Sequence, residues 1–166
     1  MSEPSVLVRL ARPDEYAKAG DLTVETYVGG GFVSPTSTYV PVLRNAADRA
    51  VKGELLVAEI TGELVGAVAY CVPGSPYAQL AQDPDEAEIR MLAVGERARG
   101  KGVGQALVHA CLDRARTAGL ARVRLASQPG MRAAQRMYER MGFTRTPERD
   151  YSPAPGFPLM AYVLPL

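Results

Sequence analysis

The chain has 166 residues, 47% hydrophobic and 22% charged, with 19 Lys and Arg against 18 Asp and Glu. That length fits one compact domain over residues 1–166, and the near-neutral charge removes the broad positive field with which nucleic-acid and anionic-membrane binders work. No run approaches the ~18 apolar residues of a membrane helix, residues 1–13 lack a signal-peptide stretch, and no Cys/His spacing suits a metal. The expectation is a cytoplasmic protein without metal, nucleic-acid or membrane partners, with Cys71 and Cys111 as small core residues.

Val6 to Leu10 reads as a strand, and Pro13-Asp14-Glu15 opens a helix with proline early and acids in its first turn. That helix stops near Gly29-Gly30-Gly31, where a loop follows. Val42, Leu43, Ala46, Ala47 and Ala50 then recur at helical spacing up to Gly53. Leu55–Ile60 and Leu64–Cys71 form two antiparallel strands around Thr61-Gly62. A proline-bearing loop, residues 73–87, leads to a strand from Glu88 to Val94. A helix from Gly102 to Ala118, a strand from Arg122 to Ser127 and a helix from Met131 to Arg140 come next, so the strands at 88–94 and 122–127 run parallel. Phe143–Arg149 and Leu159–Leu164 close the chain as a hairpin.

Between the strand at 88–94 and its following helix lies Arg99-Gly100-Lys101-Gly102-Val103-Gly104. Glycines let backbone approach an anion, the N–H groups of a helix's first turn point at it, and the helix dipole adds positive charge. Arg97, Arg99 and Lys101 add mobile cations. Taken alone, such a cluster is equally a tight turn with solvated basic residues. A P-loop fails because Gly102 stands where a Mg²⁺-binding hydroxyl belongs, and a dinucleotide fingerprint fails at Gln105 or Leu107. R-x-x-G-x-G fits, through Arg99, Gly102 and Gly104.

With this loop the chain resembles the GCN5-related N-acetyltransferase (GNAT) superfamily, whose acyl-CoA pyrophosphate loop has that form. Ala134 with Tyr138-Glu139-Arg140-Met141-Gly142-Phe143 is similar to the family's A-x-x-x-Y-E-x-x-G-F segment, and Ala87-Glu88-Ile89 to the start of its central strand. The resemblance is strong from about residue 87 to 143 and topological before that. It implies an α/β (α+β) fold: a mixed, mostly antiparallel central sheet of six to seven strands, flanked by four helices and splayed at the acyl-CoA site.

The resemblance also implies acetyl-CoA, or another acyl-CoA, as co-substrate. Its pyrophosphate would lie on Arg99, Gly100, Lys101, Gly102, Val103 and Gly104, and its pantetheine arm along Leu92, Ala93 and Val94, with a backbone N–H near Leu92 facing the thioester oxygen. The partner would be an amine acceptor, receiving the acyl group directly. Such an amine, with a pKa of about 10.4, must lose a proton before attack. Glu88 is the candidate base, with Glu86 in reserve; strand parity groups Glu86, Glu88, Arg90 and Leu92, and a strand glutamate is equally one paired with Arg90 or solvated at an edge. The resemblance makes Tyr138 the acid that protonates the departing thiolate, where the residues alone suggest a core aromatic. Met131 stands where the family often has a cofactor-contacting Asn. His109 reads as a solvated helix-face residue.

The acceptor is expected between residues 27–39, 77–86 and 151–157, where Asp83, Asp85 and Glu86 form an acidic patch. A non-catalytic acyl-CoA-binding regulatory module is the alternative reading, and a homodimer is left open.

Overall fold

The computed structural model describes residues 5–166. From the N-terminus, β1 (Val6–Leu10) is followed by a 3₁₀ turn at Pro13–Glu15 and α1 (Tyr16–Gly29). Helices α2 (Val40–Arg44) and α3 (Ala46–Lys52) lead into β2 (Glu54–Ile60) and β3 (Glu63–Cys71), joined through Thr61 and Gly62. Both turn residues have positive φ, 49° and 83°, as a two-residue hairpin turn that follows the strand twist requires. Then come β4 (Glu86–Val94), α4 (Val103–Thr117), β5 (Arg122–Ser127), α5 (Arg132–Arg140), β6 (Thr144–Arg145) and β7 (Met160–Pro165).

The seven strands form one sheet in the order β1-β2-β3-β4-β5-β7-β6. Only β4 and β5 are parallel, as a strand-helix-strand crossover demands. On one face, α4 and α5 bury Leu107, Val108, Leu112 and Tyr138 against Ile89, Val123 and Leu125. On the other, α1 and α3 bury Ala19 and Ala46 against Leu55, Val57 and Ala67.

Among the described residues five helices flank the sheet rather than the expected four, because the helix expected through residues 42–53 is two. Asn45, at φ −82° and ψ 66°, leaves the helical region, and its side chain accepts the backbone N–H of Asp48 at 3.1 Å. An asparagine that caps a new helix ends the old one. The strand expected over 143–149 is likewise cut to Thr144–Arg145, with a 3₁₀ turn at Pro147–Arg149. Pro147 has no N–H for the ladder, and it pushes the chain out of the strand.

Close packing depends on glycine at two places, once between helix and sheet and once between two helices. A Cβ at Gly66 on β3 would stand 2.8 Å from Val103 Cγ1 and 3.0 Å from Leu107 Cδ1, so its absence lets the first turns of α4 lie on the strand. A Cβ at Gly20 in α1 would stand 2.0 Å from the Arg44 carbonyl oxygen. Alanine in a helix interior is worth about 1 kcal/mol over glycine, while overpacking costs about 1–3 kcal/mol, most where the obstacle is backbone. The clash wins. Gly20→Ala is expected to lower Tm by about 2–8 °C in a thermal melt.

Candidate active site

Strand β4 organises the site, and its two halves differ. Glu86 to Ile89 pair in parallel with Arg122 to Leu125, but from Arg90 onward β4 has no partner on that side. The sheet therefore opens between β4 and β5, and the backbone of Arg90 to Val94 faces the gap. On the β3 side, Ala67 faces Ala93 and Ala69 faces Arg90, so β4 carries one extra residue. The bulge lies at Met91, whose φ is 55°.

This bulge corrects the parity drawn from sequence. Ala87 and Ile89 face α4 and α5, and beyond the bulge so do Leu92 and Val94. Met91 turns instead toward Val33, Tyr39, Leu43 and Phe157. Glu88 and Arg90 share one side of the strand and line the same cavity, whereas Leu92 lies on the opposite face.

At the end of β4 the N–H of Gly95 bonds the Val65 carbonyl at 2.8 Å, and a 3₁₀ turn at Glu96–Ala98 buries Ala98 as a plug. The chain then passes Gly100 and Gly102, at φ 76° and 81°, left-handed values that glycine adopts without strain. Gly102 is the N-cap of α4, with no side chain capping it. The first-turn N–H groups of the helix are thus free to hold an anion, and Arg97, Arg99 and Lys101 stand exposed around them. None of the three pairs with a described acid. A turn of this build suits an anion.

Glu88 is neither paired with Arg90 nor solvated. It is 1% exposed, and its Oε1 accepts three backbone N–H groups, from Gln79 (2.9 Å), Leu80 (2.6 Å) and Ala81 (2.9 Å). Arg149 fixes the same loop by donating Nη2 to the Leu80 carbonyl at 2.5 Å. The second carboxylate oxygen, Oε2, is buried without a hydrogen-bond partner among the described residues. Burial raises the carboxyl pKa, and the three N–H groups offset this only in part. A carboxylate with one oxygen anchored and the other unpartnered is suited to take a proton.

Glu86 is not equivalent. It is 1% exposed, and Arg122 Nε (2.8 Å) and Arg124 Nε (2.9 Å) hold its two oxygens. Burial acts to raise its pKa, but the hydrogen bonds from Arg124 and Arg122 outweigh this and hold it below 4.5. Both oxygens of Glu86, the reserve candidate for a base, are thus committed to arginine. Arg122 also pairs with Asp85 at 3.2 Å and Asp83 at 3.7 Å, so the acidic patch expected to draw a cationic amine is answered by arginine. The stability from Glu86 is full above pH 4.5 and is lost as pH falls through its lowered folded-state value. Glu86→Gln is expected to cost about 1–3 kcal/mol in chemical denaturation at pH 7 and to leave kcat unchanged.

Glu88 lines a cavity of about 30 Å³ with Arg90, Tyr27, Tyr39, Met131 and Tyr151. Arg90 donates Nη1 to the Tyr77 carbonyl (3.1 Å) and Nη2 to the Tyr39 hydroxyl (2.8 Å). The Tyr39 ring stacks on Phe157, with centroids 4.7 Å apart. Arg49, 2% exposed, donates Nη1 to the Val42 carbonyl at 2.9 Å, while its Nε has no partner. In the sequence Arg49 falls at i+7 from Val42 and i+3 from Ala46, a charged residue on an apolar helical stripe.

Tyr138 lies on α5, 5% exposed, its ring edge-on to Phe143 at 5.8 Å and tilted on Tyr162 at 6.2 Å. Its hydroxyl bonds no described residue and is not among the sealed polar atoms. Burial drives its pKa far above the ordinary tyrosine value, with the neighbouring Tyr27 adding to the shift, so the hydroxyl stays protonated. His109 is exposed on α4 beside Gln105, and burial pushes the Cys71 thiol up to about 12.

Residues 21–143 match the family model described as acetyltransferase (GNAT) family. The chain belongs to the GNAT family. It is 39% identical over 93 residues to a mycothiol acetyltransferase of Sanguibacter keddieii, covering 56% of this chain and 29% of that protein. It is 32% identical over 100 residues to an N-acetylaspartate synthetase of Danio rerio, covering 60% of this chain and 33% of that protein. The chain thus spans about a third of the length of these curated relatives. Among solved structures, a PaiA N-acetyltransferase from Thermoplasma acidophilum in complex with coenzyme A matches this GNAT chain with a TM-score of 0.77 at 13% identity, over 98% of this chain and 99% of that one. A ribosomal-protein-alanine N-acetyltransferase from Brucella melitensis matches with a TM-score of 0.71 at 18% identity, over 96% and 99%. These likenesses establish the GNAT fold.

Proposed function

We propose that this chain transfers an acetyl or short acyl group from acyl-CoA directly to an amine, with both substrates bound together. The observation that carries this reading is the build of β4. One strand ends in the uncapped, glycine-rich turn, offers the backbone edge of residues 90–94 left unpaired on the β5 side, and sets the half-anchored carboxylate of Glu88 beside the opening. The similarity to a mycothiol acetyltransferase and an N-acetylaspartate synthetase supports acetyl transfer as the chemistry.

In this reading Arg99, Gly100, Lys101, Gly102, Val103 and Gly104 hold the pyrophosphate, and Leu92, Ala93 and Val94 bind the pantetheine arm through backbone groups. A backbone N–H near Leu92 supports the oxyanion. Glu88 accepts a proton from the ammonium, and the free amine attacks the thioester carbon. The C–N bond forms and the C–S bond breaks. Tyr138 gives its proton to the departing sulfur and recovers one as the new amide sheds its second. Met131 lines the acceptor cavity, so no Asn-type contact to the cofactor is assigned there.

The test is a thermal-shift titration with acetyl-CoA, followed by a thiol-release assay over a panel of amines. Saturable stabilisation and acceptor-dependent CoA release are expected. Stabilisation without release from any amine would make the chain an acyl-CoA-binding regulatory module.

A further inference from the structure

The acceptor side of the cavity carries more positive charge than the reaction needs. Arg90 stands two residues beyond Glu88 on the same side of β4, before the bulge, and lines the same cavity. A guanidinium has five N–H donors, and Arg90 gives two hydrogen bonds, both to neutral oxygens. Close enough to interact with it electrostatically, Arg49 is almost fully buried, with one hydrogen bond to a carbonyl and an Nε that has no partner among the described residues. Neither arginine forms an ion pair with a described residue. The one carboxylate lining the cavity, Glu88, lies beyond ion-pair distance of both arginines and has its Oε1 held by three backbone N–H groups, so two guanidiniums share a single carboxylate.

Buried charge without a counter-charge is costly, and a ligand of opposite sign removes that cost. An amine about to be acylated is neutral at nitrogen and cannot supply it. A carboxylate on the acceptor can. Residues i and i+2 of a strand stand about 6.6 Å apart on one face, a span that an amine and a carboxylate separated by one or two carbons bridge with a hydrogen bond at each end.

We propose that the acceptor is a free amino acid, its nitrogen at Glu88 and its carboxylate on Arg90, with Arg49 adding a second positive charge nearby. This rests on the acyl-transfer reading above. Tyr27, Met91 and Met131 form the less polar wall that receives the side chain. The cavity of about 30 Å³ holds only a water or two, so its lining must widen to admit the acceptor.

The test compares CoA release from acetyl-CoA with L-amino acids, their methyl esters and the corresponding decarboxylated amines. The acid is expected to exceed its ester and its amine in kcat/KM by about 30-fold or more. Arg90→Gln is expected to collapse that ratio toward one, and Arg90→Lys to keep part of it. A merely structural role for Arg90 would slow acids and esters alike, and that result would overturn the proposal. Esters or simple amines used as well as acids would also overturn it, as would no amino acid serving while another amine does. Should Arg90→Gln fail to fold, the wild-type ratio and Arg90→Lys decide. Calorimetry with acetyl-CoA separates the two levels: binding with transfer to amines lacking a carboxylate sinks this proposal alone, and no binding sinks the acyl-transfer reading with it.

Discussion

Tyr138→Phe is expected to lower kcat by about 100-fold or more while leaving acetyl-CoA affinity within a factor of about two. The asymmetry follows from where the hydroxyl sits. The ring is buried against Phe143 and Tyr162, and phenylalanine keeps those contacts. The hydroxyl bonds no described residue, so its removal breaks no protein hydrogen bond and the fold should persist. What is lost is a proton held ready, because burial keeps the phenol protonated well beyond neutral pH. Steady-state kinetics with calorimetry on the same sample checks both halves. An unchanged kcat would remove Tyr138 from the chemistry and return it to the core.

Glu88→Gln is expected to reduce kcat/KM by about 100-fold at neutral pH and to change the shape of its pH profile. Glutamine keeps an oxygen for the N–H groups of Gln79, Leu80 and Ala81, so the loop stays anchored. It cannot take a proton. Burial raises the Glu88 pKa above 4.5, and a base works only when deprotonated. Wild-type kcat/KM should therefore fall as pH drops through that raised value, with an acid-limb midpoint above 4.5. In Glu88→Gln that limb should vanish. A persisting limb would assign the base elsewhere, and Glu86 is poorly placed to supply it with both oxygens on arginine.

The glycine-rich turn after β4 was legible because its physics is local: Gly100 and Gly102 sit at positive φ, and glycines before an apolar helix announce that conformation. The parallel pairing of β4 with β5 was legible too, since a helix joins two apolar strands. What escaped was set by contacts distant in sequence. Met91 takes φ 55° with no glycine to mark it, so the bulge and the switched faces of Glu88 and Leu92 left no trace in the residue pattern. Glu88 finds its partners in the backbone of residues 79–81, and backbone donors carry no side-chain signature. The split between α2 and α3 rested on one Asn45 side chain reaching Asp48, where apolar spacing ran on unbroken. Arg49 gave the opposite kind of clue, a charged residue on an apolar stripe, and its meaning appeared only with Arg90 nearby.

A structure with acetyl-CoA bound tests the central claim most directly. The pyrophosphate oxygens should accept from the N–H groups of residues 100–105, the thioester should lie along β4 past Arg90, and its sulfur should come within about 3.5 Å of the Tyr138 hydroxyl. Acetyl-CoA bound away from the β4–α4 loop, or a sulfur out of reach of Tyr138, would contradict the account.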